Sequence, residues 1–404
     1  MSVRNLDKLF KPRSVALIGA TPRPDSVGGV VARNLRRAGF AGELMLVNPH
    51  HQTIGGLSVH PNVAGLPHAP DLAVIVTPPE TVPRLIGELG ELGTRAAVVI
   101  TAGFGELGEE GRRLQQATLE AAKPHLLRIV GPNCVGIMVP RLGVDATFSH
   151  LAAPAGDIAF LSQSGAMITA MLDWAAPRRI GFSHVVSLGD MVDVDFGDML
   201  DYLAADPDTR AILLYLEGIA HGRKFMSAAR AASRTKPVLV LKSGRSTAGA
   251  RAATSHTGVL AGADAVYDAA FRRAGMLRVA TMAELFDAAE TLALTREQVG
   301  DRLAILTNGG GAGVLATDAL LAAGGKLAEL ADKTIEELNG VLPKTWSRAN
   351  PVDIIGDAPG RRYADALAAL IRDPGVDAIL VLNCPTALGQ PEETAHSVVD
   401  AVAA

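Results

Sequence analysis

The side chain best suited to group transfer is His256, carried in the stretch KSGRSTAGARAATSHTGVLAG, residues 242–262. An imidazole can act as nucleophile, base or acid near neutral pH. The residues leading to it are almost all Gly, Ser, Thr, Ala and Arg, and small residues leave a backbone free to move. A long loop with no structure of its own inside a compact domain is either functional or a linker. The strand KPVLVLKSG before it and a helix expected to open near Ala261 argue against a linker. Read as functional, the loop carries a ring that travels between sites; a solvated loop with an incidental histidine fits this stretch equally well.

Other candidates fall where short apolar runs turn into helices. Ser162-Gln163-Ser164-Gly165 lies at such a turn, where backbone N–H groups and the Ser164 hydroxyl would suit one phosphoryl group. It lacks the G-x-S-x-G pattern of a nucleophile elbow. Glu217, at the end of AILLYLEG, either caps the next helix or faces the ligand edge. Beside a mobile histidine, its carboxylate would fix the ring tautomer and leave the other nitrogen as nucleophile. Asp190, Asp193, Asp195 and Asp198 form an acidic cluster that reads as a loop with a helix N-terminal turn, where Asp is favoured electrostatically, or as a cation site.

Further turns are GATPRPDSVGG (19–29), Asn48-Pro49-His50, Thr77-Pro78-Pro79, Thr101 to Gly105 and Gly131 to Gly136, with Asn133 in the last. Each alone is a tight strand-to-helix connection. Together, at one edge of one sheet, they describe a groove for an extended ligand bearing phosphates. The glycine spacing does not fit a dinucleotide fingerprint. Asn48 also stands where an Asp or Glu would hold a ribose diol, so a nicotinamide cofactor is disfavoured. Asn308 to Gly313 is a similar glycine-rich turn near the C-terminus.

The elements that must position these groups follow from the apolar pattern. SVALIG, ELMLVNP, LAVIVTP, AAVVITAG and LRIVGPN are continuous apolar runs separated by amphipathic stretches of helix length, the mark of a parallel sheet covered on both faces. A second such series is DIAFLSQSG, FSHVVSLGD, AILLYLEGI and KPVLVLKSG. In a third segment only RLAILTNGG and VDAILVLNCP read as core strands, so this unit is expected to be incomplete. The fold class is thus α/β, with domains expected at 1–141, 156–296 and 300–404.

The 404 residues are 48% apolar and 20% charged, with a net charge of −4. That composition builds a core and offers no basic field for a nucleic-acid backbone. Aromatic residues, at 4%, are too few for base-stacking platforms. Cys134 and Cys384 form no metal-type spacing, in keeping with a reducing cytoplasm. The N-terminal apolar run is too short for a signal peptide or a membrane span.

Assembled in order, GATPRPDSVGG, VNP, VTPP, GPNCVG, LSQSGAM, YLEGI, KSGRSTAGARAATSHTG, and TNGGGAGV followed by NPVD resemble the NDP-forming acyl-CoA synthetases, the ADP-forming acetate–CoA ligase branch of the succinyl-CoA synthetase superfamily. The resemblance covers essentially the whole chain. It implies a Rossmann-like CoA-binding domain followed by two flavodoxin-like domains. Coenzyme A would be held by Gly19, Thr21, Ser26, Val27, Asn48, Pro49, Thr77, Pro78, Thr101 and Asn133. His256 would be phosphorylated, with Ser164 and Gly165 holding the phosphate and Glu217 orienting the ring. Acyl-CoA and phosphate would give CoA and acyl phosphate, and the histidine would pass the phosphoryl group to Mg-ADP; the reverse direction consumes ATP. The nucleotide site implied is an ATP-grasp unit, a β-type subunit or fused domain, which the printed sequence does not contain. A homo- or hetero-oligomer is implied, without nucleic acid or membrane. His50 and His51 replace a lysine common after VNP in relatives, which makes phosphate binding there weaker or more pH-sensitive. An alternative is an acyl-CoA-sensing region of a protein lysine acetyltransferase fusion.

Overall fold

A computed structural model describes residues 3–246, 248–249, 263–294, 300–387 and 389–403. His256 and the expected helix start near Ala261 lie outside the described residues. The chain divides into two compact units, Met1–Leu294 and Thr295–Ala404.

The first unit opens with the short helix α1 (Leu6–Phe10) and contains two seven-stranded sheets. The first sheet comprises β1 (Ser14–Ile18), β2 (Glu43–Val47), β3 (Thr53–Ile54), β4 (Leu57–His60), β5 (Leu72–Ile75), β6 (Ala96–Val99) and β7 (Arg128–Val130). Their order is β3-β4-β2-β1-β5-β6-β7, parallel except for the β3/β4 hairpin. The helices are α2 (Val27–Arg37), α3 (Val82–Leu92) and α4 (Glu109–Ala122). Because successive strand residues point to opposite faces, each strand feeds two cores. Val15 and Leu17 pack with Val31 and Leu35 of α2, while Ala16 and Ile18 pack with Leu85, Ile86 and Leu89 of α3. This two-sided burial is why the strands read as unbroken apolar runs. Truncating one of them, Leu17→Ala for example, should cost about 2–5 kcal/mol.

The second sheet comprises β8 (Gly136–Val139), β9 (Val144–Thr147), β10 (Ala155–Ser162), β11 (Phe182–Ser187), β12 (Ala211–Leu216), β13 (Val238–Lys242) and β14 (Leu277–Val279), in the order β14-β13-β12-β10-β11-β8-β9. Strands β10 to β14 are parallel. β8 runs antiparallel to β11, with Val185 opposite Met138. Periodicity gave no sign of β8, β9 or β14, whose three or four residues are too few to establish a pattern. The consequence of β8 is positional: the chain leaves β7 in the first sheet, turns through Gly131–Val135, and enters the second sheet at once. Helices α5 (Gly165–Ala175), α6 (Phe196–Ala205) and α7 (Gly222–Ser233) and the helices Asp264–Ala274 and Met282–Leu294 cover this sheet. The core that contains α2 continues without a break through Ile137, Leu161, Val186 and Leu214, so the two sheets are fastened together. Asn34 of α2 adds polar ties, its amide donating to the carbonyls of Thr147 and Ser149 at 3.0 and 2.8 Å.

The second unit has a four-stranded parallel sheet centred on β15 (Arg302–Thr307). β18 (Ala378–Leu382) pairs along most of β15, from Leu303 to Thr307. The two-residue strands β16 (Lys326–Leu327) and β17 (Val352–Asp353) pair with its beginning and end. The strands read from sequence are β15 and β18. Ile354, Tyr363, Leu367 and Trp346 form its core with Leu306.

Candidate functional site

In parallel α/β sheets the ligand edge lies at the carboxyl ends of the strands, and two cavities open there in the first unit. One, of about 780 Å³, is lined by Gly19, Thr21, Arg23, Ser26, Asn48, Pro49, His50, His51 and Arg84 among others. The other, of about 750 Å³, is lined by Thr101, Asn133, Val135, Phe148, Gln163, Ser164, Gly165 and Asp190 among others. Val27, Val76, Thr77 and Pro78 line both, so the two cavities adjoin and form one groove. The residues expected to hold coenzyme A, from Gly19 to Asn133, and Ser164 and Gly165 all line it.

The first cavity is built around the start of α2. Gly19 adopts φ +97°, open to glycine and costly for other residues. Its carbonyl oxygen would lie 2.3 Å from a β-carbon placed on Gly28. Both glycines are therefore required for the helix to start tight against β1. Ser26 caps α2, its Oγ accepting from the Gly29 N–H at 3.2 Å and donating to the Arg23 carbonyl at 2.8 Å. The remaining first-turn N–H groups have no partner within the helix, and its dipole end is positive. No acidic residue lies in that first turn.

Most of the polar candidates spend their side chains on shaping the loops. Asn48 donates from Nδ2 to the Ala20 carbonyl at 2.7 Å and accepts the His50 N–H at 2.8 Å, joining the ends of β1 and β2. Thr101 Oγ1 donates to the Thr77 carbonyl at 2.8 Å, and the Thr77 and Thr81 hydroxyls lie 2.7 Å apart. Thr21 Oγ1 accepts weakly from the Arg23 N–H at 3.4 Å. The groups left to face a ligand are backbone N–H groups with Arg23, His50, His51 and Arg84, the last paired with Glu88, which lines the cavity too.

The second cavity lies where the two sheets meet, at the start of α5. Ser164 is the N-cap residue, extended at φ −98°, and its hydroxyl makes no cap bond; its own N–H donates to Ser162 Oγ at 3.1 Å. A β-carbon on Gly165 would approach Val135 Cγ2 to 2.5 Å, so any larger residue there would have to displace the Val135 side chain. Glu217 is 8% exposed and is not among the residues lining either cavity. Its backbone N–H and that of Gly218 donate to Gln163 Oε1 at 2.8 and 3.0 Å. Lys242, at the end of β13 and the base of the His256 stretch, is buried with Nζ 4.6 Å from the Tyr267 ring centroid. Burial lowers its pKa, against the pull of Asp264 and Glu217.

Several lining residues have no role that the sequence declares. Gln163 and Arg23 lie inside the turns at Ser162–Gly165 and Gly19–Gly29 without a sign of their own, Phe148 follows a strand too short to read, and Arg84 shows no signal beyond charge. The acidic cluster resolves into separate roles. Asp195 and Asp198 form a capping box on α6, Asp193 pairs with Arg128 at 2.9 Å, and Asp198 pairs with Lys224 at 2.5 Å. Among the described residues no group of His, Cys, Asp and Glu is arranged to hold a metal ion. Asp190 instead faces the groove. Burial, with Glu106 nearby, pushes its carboxyl up to about 6. Burial pushes the Cys134 thiol up to about 12. Among the described residues no helix is long and apolar enough to cross a membrane.

Comparison with known proteins agrees with this architecture. The chain matches a CoA binding domain over residues 13–140, a succinyl-CoA ligase-like flavodoxin domain over 155–292 and a ligase-CoA domain over 303–404. It is 44% identical, over 98% of its length, to the ADP-forming acetate–CoA ligase I of Archaeoglobus fulgidus, of which it spans 57%. It is 41% identical to the α subunit of the ADP-forming acetate–CoA ligase I of Pyrococcus furiosus, over 98% of this chain and 86% of that subunit. The structure of dinucleotide-forming acetyl-coenzyme A synthetase 1 from Ca. Korarchaeum cryptofilum, in complex with phosphate and ADP, superposes with a TM-score of 0.94 at 39% identity, over 98% of this chain and 86% of that one. With two glycine-dependent helix starts on one groove and this similarity along nearly all of its length, the chain belongs to the family of the ADP-forming acetate–CoA ligases.

Proposed function

We propose that the chain is the CoA-binding and phosphohistidine-carrying part of an ADP-forming acid–CoA ligase. The observation that supports this most is the continuity of the two cavities, which joins the start of α2 to the start of α5. Coenzyme A lies along the groove. Its phosphates sit at the α2 N-terminus near Arg23 and His50, and its thiol end passes Val27, Thr77 and Pro78 to reach Asn133 and α5. A helix N-terminus stabilises an anion without a metal ion, and the α5 start receives phosphate.

In the acyl-CoA-consuming direction a phosphate oxygen attacks the thioester carbonyl. The C–S bond breaks, and CoA leaves as thiolate and takes up a proton. His256 then attacks phosphorus in the acyl phosphate, an N–P bond forms, and the carboxylate leaves with the P–O bonding pair. Ser164 and Gly165 hold the phosphoryl group and Glu217 orients the imidazole. A phosphorylated imidazole keeps its transfer potential. The group then passes to ADP on a nucleotide-binding unit, supplied by a second subunit or by a further part of the same polypeptide, as the α-subunit relative and the longer single-chain relative lead one to expect.

The test is incubation of the chain with labelled acetyl phosphate. Acid-labile, base-stable phosphate is expected on the wild type and absent from His256→Ala. An unlabelled wild type contradicts the phosphohistidine role.

A further inference from the structure

A further cavity of the first unit, of about 630 Å³, has the size of a small-molecule site. Of the residues lining it, Arg13 stands just before β1, Gly42 just before β2, His184 near the start of β11 and Asp208 before β12. These are the amino ends of parallel strands, the edge opposite to the groove. No residue lines both this cavity and the groove.

Its charged lining is mostly cationic: Lys11, Arg13 and Arg141, with Asp208 the one carboxylate. Arg141 pairs with Asp208 at 3.0 Å, and Lys11 Nζ lies 3.9 Å from Oδ1 of the buried Asp206. Among the described residues the Arg13 guanidinium has no hydrogen bond or ion pair. Asp71 accepts the Arg13 backbone N–H at 2.9 Å, but its charge is paired with Lys8 at 2.9 Å. His184 is 2% exposed, and burial lowers its pKa, so the ring adds no charge at neutral pH. Three cations against two carboxylates leave one positive charge, centred on Arg13. Phe40, Val139 and Leu142 make the rest of the wall apolar.

We propose that this cavity binds an organic monocarboxylate with an apolar body. The carboxylate meets the Arg13 guanidinium, whose planar fork suits a carboxylate in two parallel hydrogen bonds, with Lys11 beside it. The hydrocarbon part lies on Phe40, Val139 and Leu142. A dianion would exceed the one uncompensated charge. The site stands apart from the CoA reading, since it shares no lining residue with the groove.

The experiment is ligand-observed NMR titration of the full chain at pH 7.5, in the presence of CoA, with sodium benzoate and separately with benzamide. The two probes have the same ring and differ in charge. Benzoate is expected to bind saturably and at least about tenfold more tightly than benzamide, the worth of one charge-assisted hydrogen bond. Lys11 and Arg13 are exposed, so substitutions there leave the fold intact. Arg13→Ala is expected to weaken benzoate at least about tenfold, Arg13→Lys to retain part of the affinity, and both to leave CoA affinity unchanged. The proposal is overturned if benzoate shows no saturable binding, if benzamide binds as well, or if Arg13→Ala binds benzoate like the wild type. A failure of the CoA reading shows separately, as the absence of CoA binding in the same samples.

Discussion

Gln163 Oε1 accepts the backbone N–H groups of Glu217 and Gly218, at 2.8 and 3.0 Å. One side chain at the end of β10 thereby fixes the end of β12, and with it the carboxylate proposed to orient His256. Gln163→Ala would leave two buried N–H groups unpaired, at about 1–3 kcal/mol each where water cannot enter. The variant is expected to unfold at lower urea concentration. It should also acquire phosphate from acetyl phosphate at least about tenfold more slowly than the wild type, since a misplaced orienting group costs that much in rate. Labelling at the wild-type rate would remove Gln163 from the positioning of Glu217.

Ser26 separates helix capping from anion binding. Ser26→Ala loses the cap bond to Gly29 and is expected to cost about 1 kcal/mol of stability. Ser26→Asp keeps a good cap but places a carboxylate where the CoA phosphates are proposed to lie. Its stability should be close to wild type, while its CoA affinity, read by calorimetry, falls by at least about tenfold.

Asp145 gives a pH test of the joint between the sheets. It is 5% exposed, and burial pushes its carboxyl up to about 6, offset by hydrogen bonds from Thr147, including its hydroxyl at 2.6 Å. Because the folded-state value is raised, the unfolded chain gives up its proton first as pH rises. Stability from this group is thus highest below about pH 4 and is lost between about pH 4 and 6. The full effect is up to about 3 kcal/mol. Asp145→Asn lacks this titration. Chemical denaturation is expected to find the variant's stability relative to wild type rising from pH 4 to pH 7, and a constant difference would contradict the burial argument.

The sheets and most of the groove were legible because their signals are local. Continuous runs such as SVALI and AILLYL report two-sided burial, and each turn at a strand end declares itself by glycine, proline or a small hydroxyl residue. The second sheet's β8 and β9 were not legible, since both are short, β8 pairs antiparallel with β11, about fifty residues away in sequence, and β9 pairs only with β8. Their absence hid the reason that Asn133 and Val135 stand beside Ser164. The roles of Gln163 and Asp190 were hidden for a related cause: they depend on partners distant in sequence, Glu217 for one and Gly105 and Gln115 of α4 for the other. Nor did the residue types show that Asn48, Thr77 and Thr101 build the groove with their side chains.

The cysteines should differ in reactivity. Cys134 lines the groove but is only 4% exposed, its thiol donates to the Val99 carbonyl at 3.3 Å, and burial pushes its pKa up to about 12. Since the thiolate is the reactive species, iodoacetamide at pH 8 is expected to modify the half-buried Cys384 at least about tenfold faster, as peptide mass mapping would show. Faster modification of Cys134 would mean that the groove opens more widely than its packing allows.

The central claim is that the groove from the α2 start to the α5 start is a coenzyme A site. Calorimetric titration of the full chain with CoA, and separately with NAD, tests it most directly. The expected result is one CoA bound per chain, weakened by Ser26→Asp, and no heat from NAD. Binding of NAD without binding of CoA would contradict it.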